Sequence, residues 1–368
     1  MPWNISTLRA GDLVEVKSRE EILATLDDRG CIDGMPFMPE MLAFCGRQLV
    51  VDAVAHKTCD TAWQIGAGRR LNDAVHLRGA RCDGSAHGGC EAECLLFWKS
   101  AWLKPVSKKR EAIAETADAT SASTFVPDIL QRATRLTAST EPILYSCQAT
   151  RLLDATEPLA WWDLRQYFFD VATGNRRLGH TARVMFLALL RAVLRGIPFG
   201  YRPFRAFTHA THRLLTGRGV PRHNGQVPDG QRTPSTNLGL QPGELVQIRS
   251  LTEIEQTLDS RSRNRGMAFD PNEMAPFCGK EARVRKTVTK IIEEATGKML
   301  QMKGACVVLD DVYCKSEYSR CRLNCPRAIY SYWRESWLER APDAATARYD
   351  AESTEKEHYL ASDALPTS

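Results

Sequence analysis

The chain has 368 residues, of which 43% are hydrophobic and 25% charged, with 12 cysteines and a formal net charge of +5. That is enough apolar content to bury a full core in two or three domains. The opening residues, MPWNISTLRAGD, lack a basic head followed by an apolar run, so the expectation is a protein without a secretory signal that stays in the cytoplasm. In a reducing compartment clustered cysteines argue for metal ligands or catalytic thiols and against a disulfide framework.

In chain order, residues 8–106 read as a first Cys-rich module and 107–125 as a polar linker. Residues 126–214 form an aromatic and Arg-rich insert, 215–242 a Gly/Pro connector, 243–340 a second Cys-rich module and 341–368 an acidic tail expected to be disordered. The two modules are copies of one another. Gly11-Asp12-Leu13-Val14 returns as Gly243-Glu244-Leu245-Val246, Phe44-Cys45-Gly46 as Phe277-Cys278-Gly279, and Trp98 and Trp102 as Trp333 and Trp337, at offsets of 232 to 235 positions.

Ser18 with Glu21, and Ser250 with Glu253, are capping boxes that start a short helix at the same place in each copy. Around them lie short β-type runs: Leu13 to Val16, Leu49 to Val54 and Ala74 to Leu77, matched by Leu245 to Ile248, Ala282 to Val288 and Cys306 to Leu309. The predicted fold class is α+β, with two homologous SH3-like β-barrel modules joined by a helical basic insert. Cys90, Cys94, Trp98 and Trp102 recur at intervals of four, as do Cys321, Cys325, Ile329, Trp333 and Trp337. Four-residue steps lie on one helical stripe, so each module is expected to end in a Trp-bearing helix, the second capped by Cys325 ahead of Pro326.

That alignment nominates the metal ligands. Cys45, Cys82 and Cys90 are matched by Cys278, Cys314 and Cys325, and a tetrahedral zinc site needs a fourth soft ligand in each module. Cys94 and Cys321 are the candidates, with His87, Cys59 and Cys306 as competitors; aligning by cysteine order instead pairs Cys90 with Cys321 and Cys94 with Cys325. Two Zn2+ ions are the expected cofactors, with iron or an iron–sulfur cluster as the alternative. Cys45 and Cys278 also read as buried small hydrophobes.

Only the first module adds histidines. His56, Cys59, Asp60, His76, Asp83 and His87 all fall there, whereas no histidine lies between Gly243 and Arg340. Cys59, His76 and His87 are therefore the candidate catalytic groups, as a nucleophile–base pair or an open metal site; the alternative is a tight chelate turn at Asp83-Gly84-Ser85-Ala86-His87-Gly88-Gly89 and unconnected histidines.

From Asn175 to Arg232 there are eleven arginines, no lysine and one acid, Asp229. The apolar stretch Val184 to Leu194 is too short to span a bilayer. With Trp161-Trp162 and Tyr167-Phe168-Phe169 ahead of it, residues 160–205 read as a surface for anionic membrane or as core helices whose arginines meet acids of the modules. Nucleic acid ranks third, since no recognisable nucleic-acid-binding motif accompanies the arginines.

The strings CDGSAHGGCEAECLLFWKSAWL (82–103), WWDLRQY (161–167) and CPRAIYSYWRESWL (325–338) resemble a bacterial family of duplicated Cys-rich proteins encoded beside polysaccharide or specialised-metabolite biosynthesis genes. The resemblance covers nearly the whole chain apart from the linker and tail. It implies a biosynthetic setting and a biosynthetic partner protein, and brings no catalytic residues. The expected function is a metal-binding accessory protein of such a pathway, cytoplasmic or peripheral on the inner membrane. The alternative is a metal- or thiol-dependent biosynthetic enzyme centred on the first module.

Overall fold

A computed structural model describes residues 3–62, 67–106, 126–136, 142–196, 202–217, 219–220, 225–317 and 322–341. The linker 107–125, the tail beyond residue 341 and Cys321 lie outside the described residues. The architecture is mixed α+β, mostly strands with few helices.

The first module contributes β1 (Leu13–Val16), β2 (Gln48–Val54), β3 (Ala74–Arg81), β4 (Leu95–Lys99) and β5 (Leu103–Pro105), in the antiparallel order β4-β3-β2-β1-β5. The second contributes β6 (Leu245–Ile248), β7 (Glu281–Thr287), β8 (Cys306–Leu309), β9 (Trp333–Arg334) and β10 (Leu338–Arg340), in the order β9-β8-β7-β6-β10. Registers repeat as well. Val16 pairs with Leu103 and Ile248 with Leu338, and a bulge interrupts both sheets at matching places, Val51/Ala53 and Val284/Lys286. A bulge raises local twist, which helps each sheet curl into a half-barrel. The capping boxes form as the sequence indicates: Ser18 and Ser250 each accept from the backbone of the third helical residue, opening α1 (Arg19–Leu23) and its counterpart Leu251–Glu255.

The Trp-bearing helices are corrected. Trp98 sits in β4 and Trp333 in β9, while Trp102 and Trp337 close three-residue 3-10 turns, Ser100–Trp102 and Glu335–Trp337. A strand end followed by a 3-10 turn brings positions four apart back to one face, just as a helix does. All four indoles are fully buried, and Phe37 and Phe269 meet Trp102 and Trp337 edge-on at 5.1 and 5.5 Å. Nor does Pro326 open a helix: residues 323–329 are turns and irregular backbone.

The insert carries three helices in its second half, α2 (Arg165–Ala172), α3 (Leu178–Gly196) and α4 (Arg202–Thr216). Its strand Thr156–Leu159 pairs with Ala67–Leu71 of the first module. The two modules touch directly. Glu91 accepts from the Thr289 and Lys290 backbone N–H groups, the Cys90 sulfur accepts from Ile292 N–H at 3.3 Å, and Glu93 binds Arg285 and Lys286. These contacts make a clasp from the loop ahead of β4 to the far side of the second sheet.

Candidate metal centre

Among the described residues, one group of three donors could hold an ion: Glu40, Cys82 and His87. Glu40 lies in the first turn of the 3-10 helix Pro39–Phe44, and Cys82 follows β3, with its N–H bonded to Cys94 O at 2.9 Å. The loop after Cys82 folds back on itself. Gly84 has φ of 71°, and a Cβ there would lie 2.0 Å from the Cys90 carbonyl oxygen, so only glycine permits the close return that brings His87 in.

Cys82 Sγ is 3.1 Å from Glu40 Oε1 and 3.4 Å from His87 Nε2, while His87 Nδ1 is 3.4 Å from the same Glu40 oxygen. One atom from each of the three side chains lies within 4.8 Å of the others, and either ring nitrogen of His87 could be the donor. The Glu40 and His87 side chains are 3% and 1% exposed. Glu40 Oε2 has no hydrogen-bond partner, and His87 Nδ1 has only the long contact to Glu40 Oε1; a buried polar atom left so is costly unless something else satisfies it. Burial, then the Glu40 charge, pushes the Cys82 thiol far up, and burial pulls the His87 imidazole down. An ion here would have to displace the thiol proton.

The second module holds the same position differently. Glu273 and Cys314 stand where Glu40 and Cys82 stand in the first copy, 233 and 232 positions on. Arg322 Nε lies 4.0 Å from Glu273 Oε1, its Nη2 binds Asp270 at 2.5 Å, and Cys314 Sγ is 3.3 Å from Ser316 Oγ. A permanent guanidinium thus stands beside this buried carboxylate. In the first copy the one ion-pair partner of Glu40 among the described residues is the imidazole of His87.

The proposed four-cysteine sites are not assembled among the described residues. Cys82, His87, Cys90, Cys94 and Cys147 line one small cavity of about 40 Å³, but of these cysteines only Cys82 is within ligand reach of two other donors. The Cys90 sulfur is engaged with the second module, and burial pushes Cys94 up to about 12. Cys45 and Cys278 cap matching 3-10 turns and pack, half-buried, against the two cores. Cys325 hydrogen-bonds Cys59, with Cys314 near enough to act on it electrostatically, and Cys321 is outside the described residues. Glu40, a carboxylate, is a candidate donor that the soft-ligand reading of the sequence did not include; its recurrence as Glu273 was the signal.

Cys59, His76 and His87 are not brought together. His56 reaches the Gln166 carbonyl and Asp170, Cys59 reaches Cys325, His76 Nδ1 meets the Leu96 carbonyl at 2.9 Å, and His87 joins Cys82. Hydrogen bonding from Cys325 and the nearby Arg327 and Arg322 cations lower the Cys59 thiol, and Cys325 is raised in turn. This pair is buried at the junction of the modules, where Arg327 also binds Thr61 Oγ1 at 2.7 Å and Glu294 at 2.9 Å.

His76 is a core histidine, fully buried with its ring 4.6 Å from Phe97. Burial lowers it from the ordinary 6.5 to about 4. Because the folded state then binds fewer protons than the unfolded state, stability is fully present above about 6.5 and falls as pH drops toward 4. The loss expected from this group is about 3 kcal/mol. Denaturant titrations at intervals across that window should show His76→Gln with a shallower acid decline than wild type; parallel declines would contradict the assignment.

Compared with protein-family models, curated proteins and solved structures, the chain matches none of them.

Proposed function

We propose that the protein is a metal-binding accessory protein built from two SH3-like barrels, of which only the first holds an ion. The SH3-like reading rests on the five-strand order shared by both sheets and on the 3-10 turn that carries the chain from one sheet edge to the other. The observation that carries the metal reading is the buried Glu40–Cys82–His87 set, three donors within ligand reach of one another where the sister site places an arginine beside its carboxylate. The mixed carboxylate, thiolate and imidazole donors suit zinc, Zn2+. Iron–sulfur chemistry is disfavoured by the small number of converging thiols. The cytoplasmic setting and the biosynthetic partner rest on the sequence reading and the family resemblance.

A second reading, a metal-dependent biosynthetic enzyme, is favoured by one feature: three protein donors leave a fourth position free, and the adjoining cavity has room for a water molecule. Loss of pathway product in a variant that keeps its metal would support it. Cys90→Ser, which alters the cavity wall, spares the three donors and keeps an acceptor for Ile292 N–H, is the substitution to use.

Protein purified without oxygen should carry one equivalent of zinc and show no visible absorption. Cys82→Ala and His87→Ala should each reduce the metal content at least about tenfold. A folded protein with no metal, and a melting temperature unmoved by chelator, would sink the proposal; two equivalents would sink the one-site version.

A further inference from the structure

Nearly all the large apolar side chains that face solvent belong to one part of the chain. Of the exposed large hydrophobics among the described residues, Trp162, Leu164, Phe168, Leu178, Phe186, Leu189, Val193, Phe207 and Leu214 fall in or just before α2, α3 and α4; only Leu136 and Leu300 lie elsewhere. They follow helical spacing. On α3 the exposed positions Leu178, Ala182, Phe186, Leu189 and Val193 form one stripe, and on α4 Pro203, Phe207, Ala210 and Leu214 form another. A core helix turns its apolar stripe inward. Here α3 also has an inward stripe, Val184, Leu187 and Ala188, so apolar groups occupy two faces of the same helix.

The charge on α3 and α4 is all positive, although Glu317 pairs with Arg183 at 3.7 Å and Asp163, ahead of α2, with Arg165. From Val171 to Pro228 there are ten arginines and no aspartate or glutamate. Arg183 stands about 100° around α3 from the middle of its stripe and Arg213 about 90° around α4 from its own, which is where a long cationic side chain can reach a headgroup while its neighbours enter the acyl boundary. Arg183 is half exposed and Arg213 exposed. No helix among the described residues is long and apolar enough to cross a membrane, so contact would be with the surface. A protein partner would have to offer an acidic and apolar groove to three helices at once, whereas an anionic bilayer supplies both features continuously.

We propose that the outer faces of α2, α3 and α4 seat the protein on an anionic membrane surface, with Trp162 and Phe168 at headgroup depth. This goes beyond the metal reading and does not depend on it.

The test is flotation of the full chain with vesicles containing about 30 mol% phosphatidylglycerol in phosphatidylcholine, or phosphatidylcholine alone. Wild type should float with the anionic vesicles and stay largely in the soluble fraction with the neutral ones. Phe186→Asp with Leu189→Asp changes only exposed positions and should lower the floated fraction at least about tenfold, with circular dichroism and melting temperature unchanged. Arg183→Glu with Arg213→Glu should reduce binding to anionic vesicles alone. Wild type left in the soluble fraction with anionic vesicles would overturn the proposal, as would equal flotation of the aspartate variant. So would sedimentation showing that the stripe holds two copies of the chain together, with the same variant becoming monomeric.

Discussion

Asp170→Ala should destabilise the protein by about 3–5 kcal/mol, among the largest losses available from a single polar side chain. Asp170 is fully buried on α2, with Lys57 Nζ at 2.6 Å, His56 Nε2 at 3.3 Å and Asn324 Nδ2 at 3.2 Å. Three parts of the chain therefore meet on one carboxylate: the first module through His56 and Lys57, the insert through Asp170 itself, and the second module through Asn324. Removing it leaves a buried ammonium without its carboxylate, facing the Tyr167 ring 4.8 Å away and the nearby Cys325.

Burial already lowers the Lys57 pKa, and Asp170 is the charge that opposes the fall. Without Asp170 it must fall further. Between the lowered folded value and the ordinary 10.5 the folded state binds fewer protons than the unfolded state, so stability rises with pH across that window. The deficit of the variant should accordingly shrink as pH approaches about 10 and be greatest near neutrality and below. Lys57→Met in the Asp170→Ala background should recover much of the loss, since no charge is then left unpaired. Chemical denaturation of the four proteins at two pH values decides the matter: a single-variant deficit under about 1 kcal/mol, or no recovery in the double variant, would remove Asp170 from this role.

Trp337→Ala should cost about 3–5 kcal/mol, and Trp102→Ala a similar amount. Each indole fills the turn that joins the last two strands and packs edge-on against one phenylalanine. The copies differ in one polar contact: Trp337 Nε1 donates to Thr257 Oγ1 at 2.9 Å, whereas Trp102 Nε1 is buried without a partner. Trp337→Phe should therefore exceed Trp102→Phe by about 1 kcal/mol, and Thr257→Val should remove the difference. Equal costs for the two phenylalanine variants would show that the hydrogen bond adds nothing net.

Much of the scaffold was legible because its signals are local. The capping boxes at Ser18 and Ser250 depend on residues three apart, and the strands Leu13–Val16 and Leu245–Ile248 show the alternation that they later bury. The tryptophans misled because a four-residue period is shared by a helix and by a strand running into a 3-10 turn. The centre was half legible. Cys82 and His87 are five positions apart in a glycine-flanked loop, but Glu40 joins them only through the packing of a distant 3-10 turn, and acidic residues are too common for one to stand out. Asp170 could not have been found at all from spacing, since Lys57 and Asn324 lie more than a hundred positions from it on either side.

The loop carrying His87 runs straight into the clasp formed by Cys90, Glu91 and Glu93 on the second module. Ion binding and the grip between the two halves therefore pull on one short length of backbone. An ion held by Cys82 and His87 tightens the anchored end of that length, and its departure slackens the end that reaches across. Filling or emptying the site would therefore bear on how firmly the two halves move as one body.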